Sequence, residues 1–450
     1  MTVSDAPNPP DPSDKPDWPN LVAMFLERAG QRGDRPFLWA KEGGVYRPRS
    51  WRAVADETRL LARGLRAAGI GDGERVLLLS ENRPEWAIAD LAIMAAGAVT
   101  VPAYTTSTAD DLHYLLTHSG AAAAIVSTEA LAERLLAAAA DAPALRLIVA
   151  ISAPETSPPD TVALVPWSEM IDRGRAAAND VDSRVAAIGR RDLACVIYTS
   201  GTGGRPKGVM LSHAAILANI KGAHALLAGL MDENEVFLSF LPLSHSYEHT
   251  GGLYFPISIG AEIYYAERTE TLTTNLIEAR PTIMTCVPRL YEIMRHRILI
   301  GVGRAGGAKK WLFETALDLG RRRYRRPGSL GVVDRALDRL VDRLVRDKVR
   351  ARFGGRVKAL VSGGAPLNPD VGLFFVALGL PLLQGYGQTE TAPVVSVNRP
   401  ERNRIDTVGP PLAGVAVRIA EDGEILVRGD LVMDGYWNDA EATKAAFRDD

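Results

Sequence analysis

From Leu21 onward, short runs of apolar, β-favouring residues alternate with longer stretches of helical period, and this alternation restricts the fold more than any other feature. Residues 21–32 read as a helix, 37–40 and 45–46 as a hairpin around Gly43 and Gly44, and 51–68 as an amphipathic helix. Strands follow at 75–79, 98–102, 121–126 and 145–151, separated by helices at 84–96, 109–118 and 129–140. Repeated β-α-β units imply a parallel sheet covered by helices on both faces. A second series starts with a helix from its N-cap Ser212 to about Leu230. It runs through strands at 235–243, 262–265, 282–287 and 357–361 and helices at 251–259 and 369–378. The fold class expected is α/β, with two doubly wound, mainly parallel sheet subdomains flanked by helices. With 450 residues the chain exceeds what one hydrophobic core usually covers.

A net charge of −2 gives no electrostatic footprint for nucleic acid. Cys195 and Cys286 both lie in apolar runs without the neighbours of a metal or redox motif, which points to inert thiols in a reducing, cytoplasmic compartment. Six prolines and four aspartates in the first twenty residues predict a disordered N-terminus over 1–20. The longest uncharged apolar stretches are too short to span a bilayer, so membrane contact, where it occurs, would be peripheral. Nothing in the sequence specifies an oligomeric state.

Residues 193–198 form an apolar run that ends in YTSGTGGRPKGVMLSH, Tyr198 to His213. Gly201, Gly203 and Gly204 permit close backbone approach to a ligand, Thr199, Ser200 and Thr202 add hydroxyl donors, and Lys207 adds a point charge. That is the composition of a phosphate cradle. A P-loop NTPase needs Ser or Thr after the lysine, whereas Gly208 stands there and Pro206 precedes it. A plain surface turn would not call for so many hydroxyls and glycines beside a lysine. Downstream, QGYGQTE at Gln384 to Glu390 offers the face of Tyr386 for a purine, the hydroxyl of Thr389 for phosphate and a hard oxygen on Glu390 for magnesium.

The stretch at 198–213 resembles the signature loop of the adenylate-forming superfamily, which includes acyl-CoA synthetases, luciferases and peptide-synthetase adenylation domains. Gly203 departs from the commoner Thr and removes one hydroxyl. The resemblance extends over residues 21–450 and implies ATP, Mg2+ and coenzyme A as reaction partners. By it, Thr199, Ser200, Gly201, Thr202, Gly203, Gly204 and Lys207 would hold the phosphates. Gly363, Gly364 and Ala365 of SGGAPL would line the adenine with Tyr386 against its ring, and Gln384, Gly385, Gly387 and Thr389 would complete the ATP site. Thr202 and Glu390 would hold the metal. LPLSHSYEH resembles the family motif whose histidine, matching His245, shapes the acyl pocket, with Tyr247, Gly251 and Gly252 beside it. The implied catalytic set is Thr202, Lys207, His245 and Glu390.

His245 to His249, HSYEH, also fits the HxxEH pattern of inverted zinc peptidases. That chemistry needs both histidines on one helical face and a distant third ligand, and a zinc hydrolase is kept as a remote rival. His113, His118, His213, His224 and His296 read as structural.

Residues 289–353 form a long helical insertion rich in arginine, which resembles the long-chain fatty-acid branch of the family. A basic face there could meet acidic lipid headgroups or a nucleotide tail, but Asp334, Asp338 and Asp342 interleave with the arginines and favour a merely solvated face. The expected organisation is a first α/β subdomain at 21–190, with 152–190 as a connector, and a second at 191–400 carrying the signature loop on the edge of its sheet. A small β subdomain would occupy 401–450, with a hairpin of type I′ signal at Asp422 and Gly423. The family continues beyond a segment like the one ending at Asp450 into a C-terminal lid domain, so the expectation is a large-domain core with the lid absent, weak in adenylation and deficient in thioester formation. The function implied is a long-chain fatty acid-CoA ligase. A fatty acyl-AMP ligase, another carboxylate-adenylating enzyme or a non-catalytic nucleotide or acyl binder are the alternatives.

Overall fold

The computed structural model describes residues 17–199, 204–232 and 234–448. In chain order come α1 (Leu21–Arg32), β1 (Pro36–Glu42), β2 (Val45–Ser50), α2 (Trp51–Ala67), β3 (Arg75–Leu79), α3 (Pro84–Ala95), β4 (Val99–Ala103) and α4 (Ala109–Ser119). Next are β5 (Ala123–Val126), α5 (Glu129–Ala139), β6 (Leu147–Ala150), β7 (Ala163–Pro166), α6 (Trp167–Ala176), α7 (Val181–Ala187), β8 (Leu193–Thr199), β9 (Lys207–Ser212) and α8 (His213–Leu227). The chain continues with β10 (Val236–Ser239), α9 (Ser246–Glu248), a π-helical turn (His249–Tyr254), α10 (Phe255–Ile259), β11 (Glu262–Tyr265), α11 (Leu272–Ala279) and β12 (Ile283–Cys286). Helices α12 (Pro288–Ala305), α13 (Gly307–Arg325), α14 (Val332–Val341) and α15 (Asp347–Arg352) build the insertion. The remainder is β13 (Ala359–Ser362), α16 (Pro369–Ala377), β14 (Leu382–Gly387), β15 (Val394–Val397), β16 (Ala416–Ile419), β17 (Ile425–Arg428), β18 (Gly435–Tyr436) and α17 (Ala440–Ala446).

Two eight-stranded sheets carry the fold, in the orders β18-β9-β8-β4-β3-β5-β6-β7 and β15-β14-β13-β12-β10-β11-β1-β2. Pairing is parallel in the middle of each sheet, with antiparallel edges at β8, β9 and β18 in the first and at β14/β15 and β1/β2 in the second. The side-chain period of two divides the strands between layers. Val76 and Leu78 of β3 face a central core shared with the second sheet, while Leu77 and Leu79 face α4 and α5 on the outside. Phe237, Ile283 and Leu383 point into the same central core, while Leu238, Met284 and Leu382 face the insertion helices and α16. Helices α1, α3, α8 and α10 fill the space between the sheets, and every residue of α3 is buried, which explains its apolar character all round.

Several expectations change. Residues 152–190 are not a bare connector: β7 extends the first sheet, and α6 packs on α2 where Gly174 meets the backbone of Leu60 closely. The strand leading to the signature loop, β8, belongs to the first sheet and not the second, because it pairs with β4. The strands also cross the boundary expected at residue 190, since β1 and β2 complete the second sheet while β9 and β18 complete the first. The type I′ expectation fails at 420–424, where Gly423 alone has positive φ and the loop closes through Ala420 N–H to Glu424 O at 2.9 Å. Residues 1–16 of the expected disordered terminus lie outside the described residues. Asn20, in contrast, is fully buried, caps α1 by accepting from Ala23 N–H, and donates to Val185 O at 2.8 Å.

Candidate active site

Three segments meet beyond the C-terminal ends of β13 and β14. The first is the turn after β13, where Gly363 packs so closely on Tyr247 that a Cβ would lie 3.1 Å from the ring. The second is β14 itself, whose Gly387 lies against the carbonyl of Pro393 with no room for a side chain. The third is the helical stretch beginning at His245. These segments are tied together by Ser246 Oγ and Thr389 Oγ1, 3.0 Å apart, and by the Tyr247 hydroxyl donating to Val361 O at 2.9 Å.

They enclose a cavity of about 190 Å³, roughly ten times the space one water requires. Its polar end is formed by His245, Ser246, Gly363, Gly364, Gly385, Tyr386, Gly387, Gln388 and Thr389. Its other end runs between α8 and the second sheet and is apolar, lined by Ile220, Ala223, Leu226, Leu227, Phe237, Phe255, Ile283, Val361 and Val397. Asn219 is the polar residue of α8 at this wall. It donates to Val394 O at 2.8 Å and fixes the helix against β15.

Next to Thr389 lies Glu390. The Tyr436 hydroxyl donates to its Oε1 at 2.8 Å, and the face of the same tyrosine receives the Lys207 ammonium 4.9 Å from the ring centroid. Burial and this hydrogen bond to Glu390 both keep the tyrosine protonated, by raising its pKa. Lys207 is set by register, since β8 and β9 form a hairpin in which Thr199 and Lys207 stand opposite each other. Strand β18 then adds to β9, pairing Tyr436 with Val209, and so delivers the tyrosine between lysine and glutamate. Ser200, Gly201, Thr202 and Gly203 lie outside the described residues.

His245 lines the cavity, and its Nδ1 accepts from Tyr247 N–H at 3.1 Å. Burial lowers its pKa, so the ring is neutral with Nε2–H left to donate. His249 turns the other way and meets Asp90 Oδ2 at 2.8 Å, where the Tyr254 hydroxyl also donates. Burial would raise the Asp90 pKa, yet the charge and hydrogen bond of His249 outweigh it and hold the carboxyl low. Glu248, buried, accepts from the Thr285 hydroxyl, and desolvation pushes its pKa up to about 7. Both histidines of HSYEH therefore have separate tasks, and among the described residues no group of three His, Cys, Asp or Glu is placed to hold a metal ion. The zinc hydrolase reading loses its geometry.

Of the residues singled out in the sequence, Gly363, Gly364, Gly385, Tyr386, Gly387, Thr389, His245, Tyr247 and Gly251 share the cavity wall. Lys207 and Glu390 stand next to it through Tyr436. Gly204 is exposed on the β8–β9 connection, and Ala365 is exposed beyond the turn after β13. Gln384 is buried in β14 opposite Ser362, and Gly252 faces Glu248; neither lines the cavity. Tyr436 and Asn219 were not singled out. The only sequence signal for Tyr436 is an aromatic in the GYW near the chain's end, and its partner strand β9 was hidden within the motif.

The sequence model of the AMP-binding enzyme family matches residues 25–437. The long-chain-fatty-acid–CoA ligase FadD15 of Mycobacterium bovis is 35% identical over 440 residues, covering 96% of this chain and 70% of that protein. The peroxisomal long chain acyl-CoA synthetase 7 of Arabidopsis thaliana is 31% identical, covering 89% of this chain and 58% of that protein. The N-terminal domain of FACL13 from Mycobacterium tuberculosis superposes with a TM-score of 0.70 at 20% identity, over 96% of this chain and 94% of that one, and shows the shared fold. A benzoate CoA ligase from Burkholderia xenovorans superposes with a TM-score of 0.71 at 25% identity, over 95% of this chain and 74% of that one.

Proposed function

The chain belongs to the AMP-binding enzyme family, and on that premise we propose that it is the core of an AMP-forming fatty acyl-CoA synthetase acting on long-chain carboxylates. The observation that carries the substrate class is the continuity of one cavity, from the glycine-bearing segments around Tyr386 to the apolar slot between α8 and the second sheet. A nucleotide at the polar end and an aliphatic chain in the slot would bring a carboxylate to the α-phosphate.

Both reactants are anions, so the site must offset their repulsion before a bond forms. The carboxylate oxygen attacks the α-phosphorus, an acyl adenylate forms and pyrophosphate leaves with the bridging-oxygen electrons. Lys207, resting on Tyr436, would turn its ammonium to the phosphates, where it stabilises the departing charge. The Glu390 carboxylate accepts from Tyr436 through Oε1 alone among the described residues, and its hard oxygens are suitable ligands for a magnesium ion. Bound there, magnesium would neutralise phosphate charge. Thr202 is assigned as a further ligand from the motif alone. Neutral His245, with Nε2–H to donate, would orient the carboxylate at the junction of the two ends. The acyl adenylate then passes to the thiol of coenzyme A with release of AMP. Two free, buried cysteines support a reducing, cytoplasmic setting. No described helix is long and apolar enough to cross a membrane.

Pyrophosphate exchange into ATP, driven by palmitate, tests this reading. Lys207→Ala and Glu390→Gln should each lower the exchange about a hundredfold, the scale of losing one charge-stabilising group. Unchanged exchange in both variants would remove the assignment.

A further inference from the structure

In the insertion, the aspartates that interleave with the arginines are all ion-paired, Asp338 buried and Asp334 and Asp342 half-buried. Asp334 is paired with Arg322 at 2.7 Å, Asp338 with Arg323 at 2.9 Å and Arg346 at 2.7 Å, and Asp342 with Arg350 at 2.8 Å. Arg346 is completely buried and donates to Ala316 O and Ala377 O, which clamps this helical segment onto α13 and α16. A π-helical turn at Asp342–Arg346 joins α14 to α15 and keeps the segment continuous.

The opposite face looks outward with a fixed composition. Val332 is 77% exposed, Val333 79%, Leu340 50% and Leu344 41%. Beside them Arg335, Arg339 and Arg343 recur every fourth residue, are exposed, and form no ion pair among the described residues. An apolar ridge with a parallel cationic ridge, held rigidly in place, differs from a solvated helix, whose outward positions are polar.

We propose that this face of α14 and α15 docks on the surface of an anionic lipid bilayer, with the valines and leucines entering the headgroup boundary and the arginines meeting lipid phosphates. A second copy of the chain fits less well, because a two-fold contact centred on this face would oppose one arginine row to the other. Each carboxylate of the segment is already ion-paired, Asp347 with Arg350 included, which leaves Arg335, Arg339 and Arg343 as a net positive row.

Sedimentation of the 450-residue chain with phosphatidylcholine vesicles, with and without phosphatidylglycerol, tests the proposal. Binding is expected only with phosphatidylglycerol and should weaken at high KCl. The triple variant Arg335→Gln, Arg339→Gln, Arg343→Gln should lower partitioning about a hundredfold. The triple variant Val333→Ser, Leu340→Ser, Leu344→Ser should lower it at least about tenfold. All six side chains are solvent-facing, so both variants should melt as the parent does, and both should keep pyrophosphate exchange. No vesicle binding, binding equal on neutral vesicles, or full binding by either triple variant would overturn the proposal. Loss with the arginine triple alone, accompanied by capture of soluble polyglutamate, would assign the face to an acidic protein instead.

Discussion

At the scale of single residues, Tyr436 touches both a cation and an anion of the candidate site. Its ring holds Lys207 and its hydroxyl holds Glu390, so one side chain positions both charges. Tyr436→Phe keeps the ring and removes the hydroxyl. The expected result is an apparent magnesium requirement about tenfold higher, from the loss of one hydrogen bond to a charged group, with a smaller change in kcat. An unaltered magnesium titration would contradict the positioning role. Glu248 provides a pH test. Its folded carboxyl keeps a proton up to about pH 7, whereas in the unfolded chain it ionises near ~4.3. Between those values the unfolded state binds fewer protons, so stability falls as pH rises. Relative to Glu248→Gln, the parent should lose roughly 2–4 kcal/mol from about pH 5 to about pH 8 in urea unfolding. Parallel profiles would refute the assignment. Residue types such as the Tyr386 aromatic and the glycines at 363, 364, 385 and 387 were legible in the sequence because their roles need only local backbone freedom. Tyr436 was not, because its role exists only through β18 pairing with β9.

At the scale of elements, helix and strand types follow closely from period and capping. Helix α1 spans its expected residues, and Ser212 caps α8 by accepting from Ala215 N–H. Strand β9 was missed because its residues KGVMLS continue a loop-like motif and only three-dimensional pairing makes them a strand. The segment 152–190 reads as a connector in sequence because its prolines and aspartates mark loops, while the short apolar run of β7 carries too few residues to stand out. Spacing alone makes the aspartates of the insertion look like dilution of the arginines, because it does not show that Asp334 and Asp338 pair with arginines of α13. Close helix crossings give a sharp prediction. A Cβ at Gly320 of α13 would collide with the carbonyl of Ala377 in α16. Gly320→Ala should destabilise the fold by about 1–3 kcal/mol despite its better helix propensity, read as a lowered Tm. A raised Tm would show that the two helices can separate at no cost.

For the whole molecule, the exchange of strands between sheets is what assembles the site. The first sheet contributes Lys207 through β9 and Tyr436 through β18, while the second contributes the cavity wall and Glu390 just beyond β14. Repeating β-α-β units announced two sheets, but not that the first strands of the chain would complete the second sheet, since partner choice over such separations leaves no local signature. One central core spans both sheets, which makes the site a product of the entire fold and not of a removable loop. The chain spans 70% of the M. bovis relative. The most direct measurement is mass spectrometry after incubation with ATP, Mg2+ and a panel of acids running from acetate through long-chain fatty acids to aryl acids. The account predicts acyl adenylates of the long aliphatic acids, dependent on Lys207. Adenylates confined to acetate or aryl acids, or none from any acid while ATP remains bound, would contradict it.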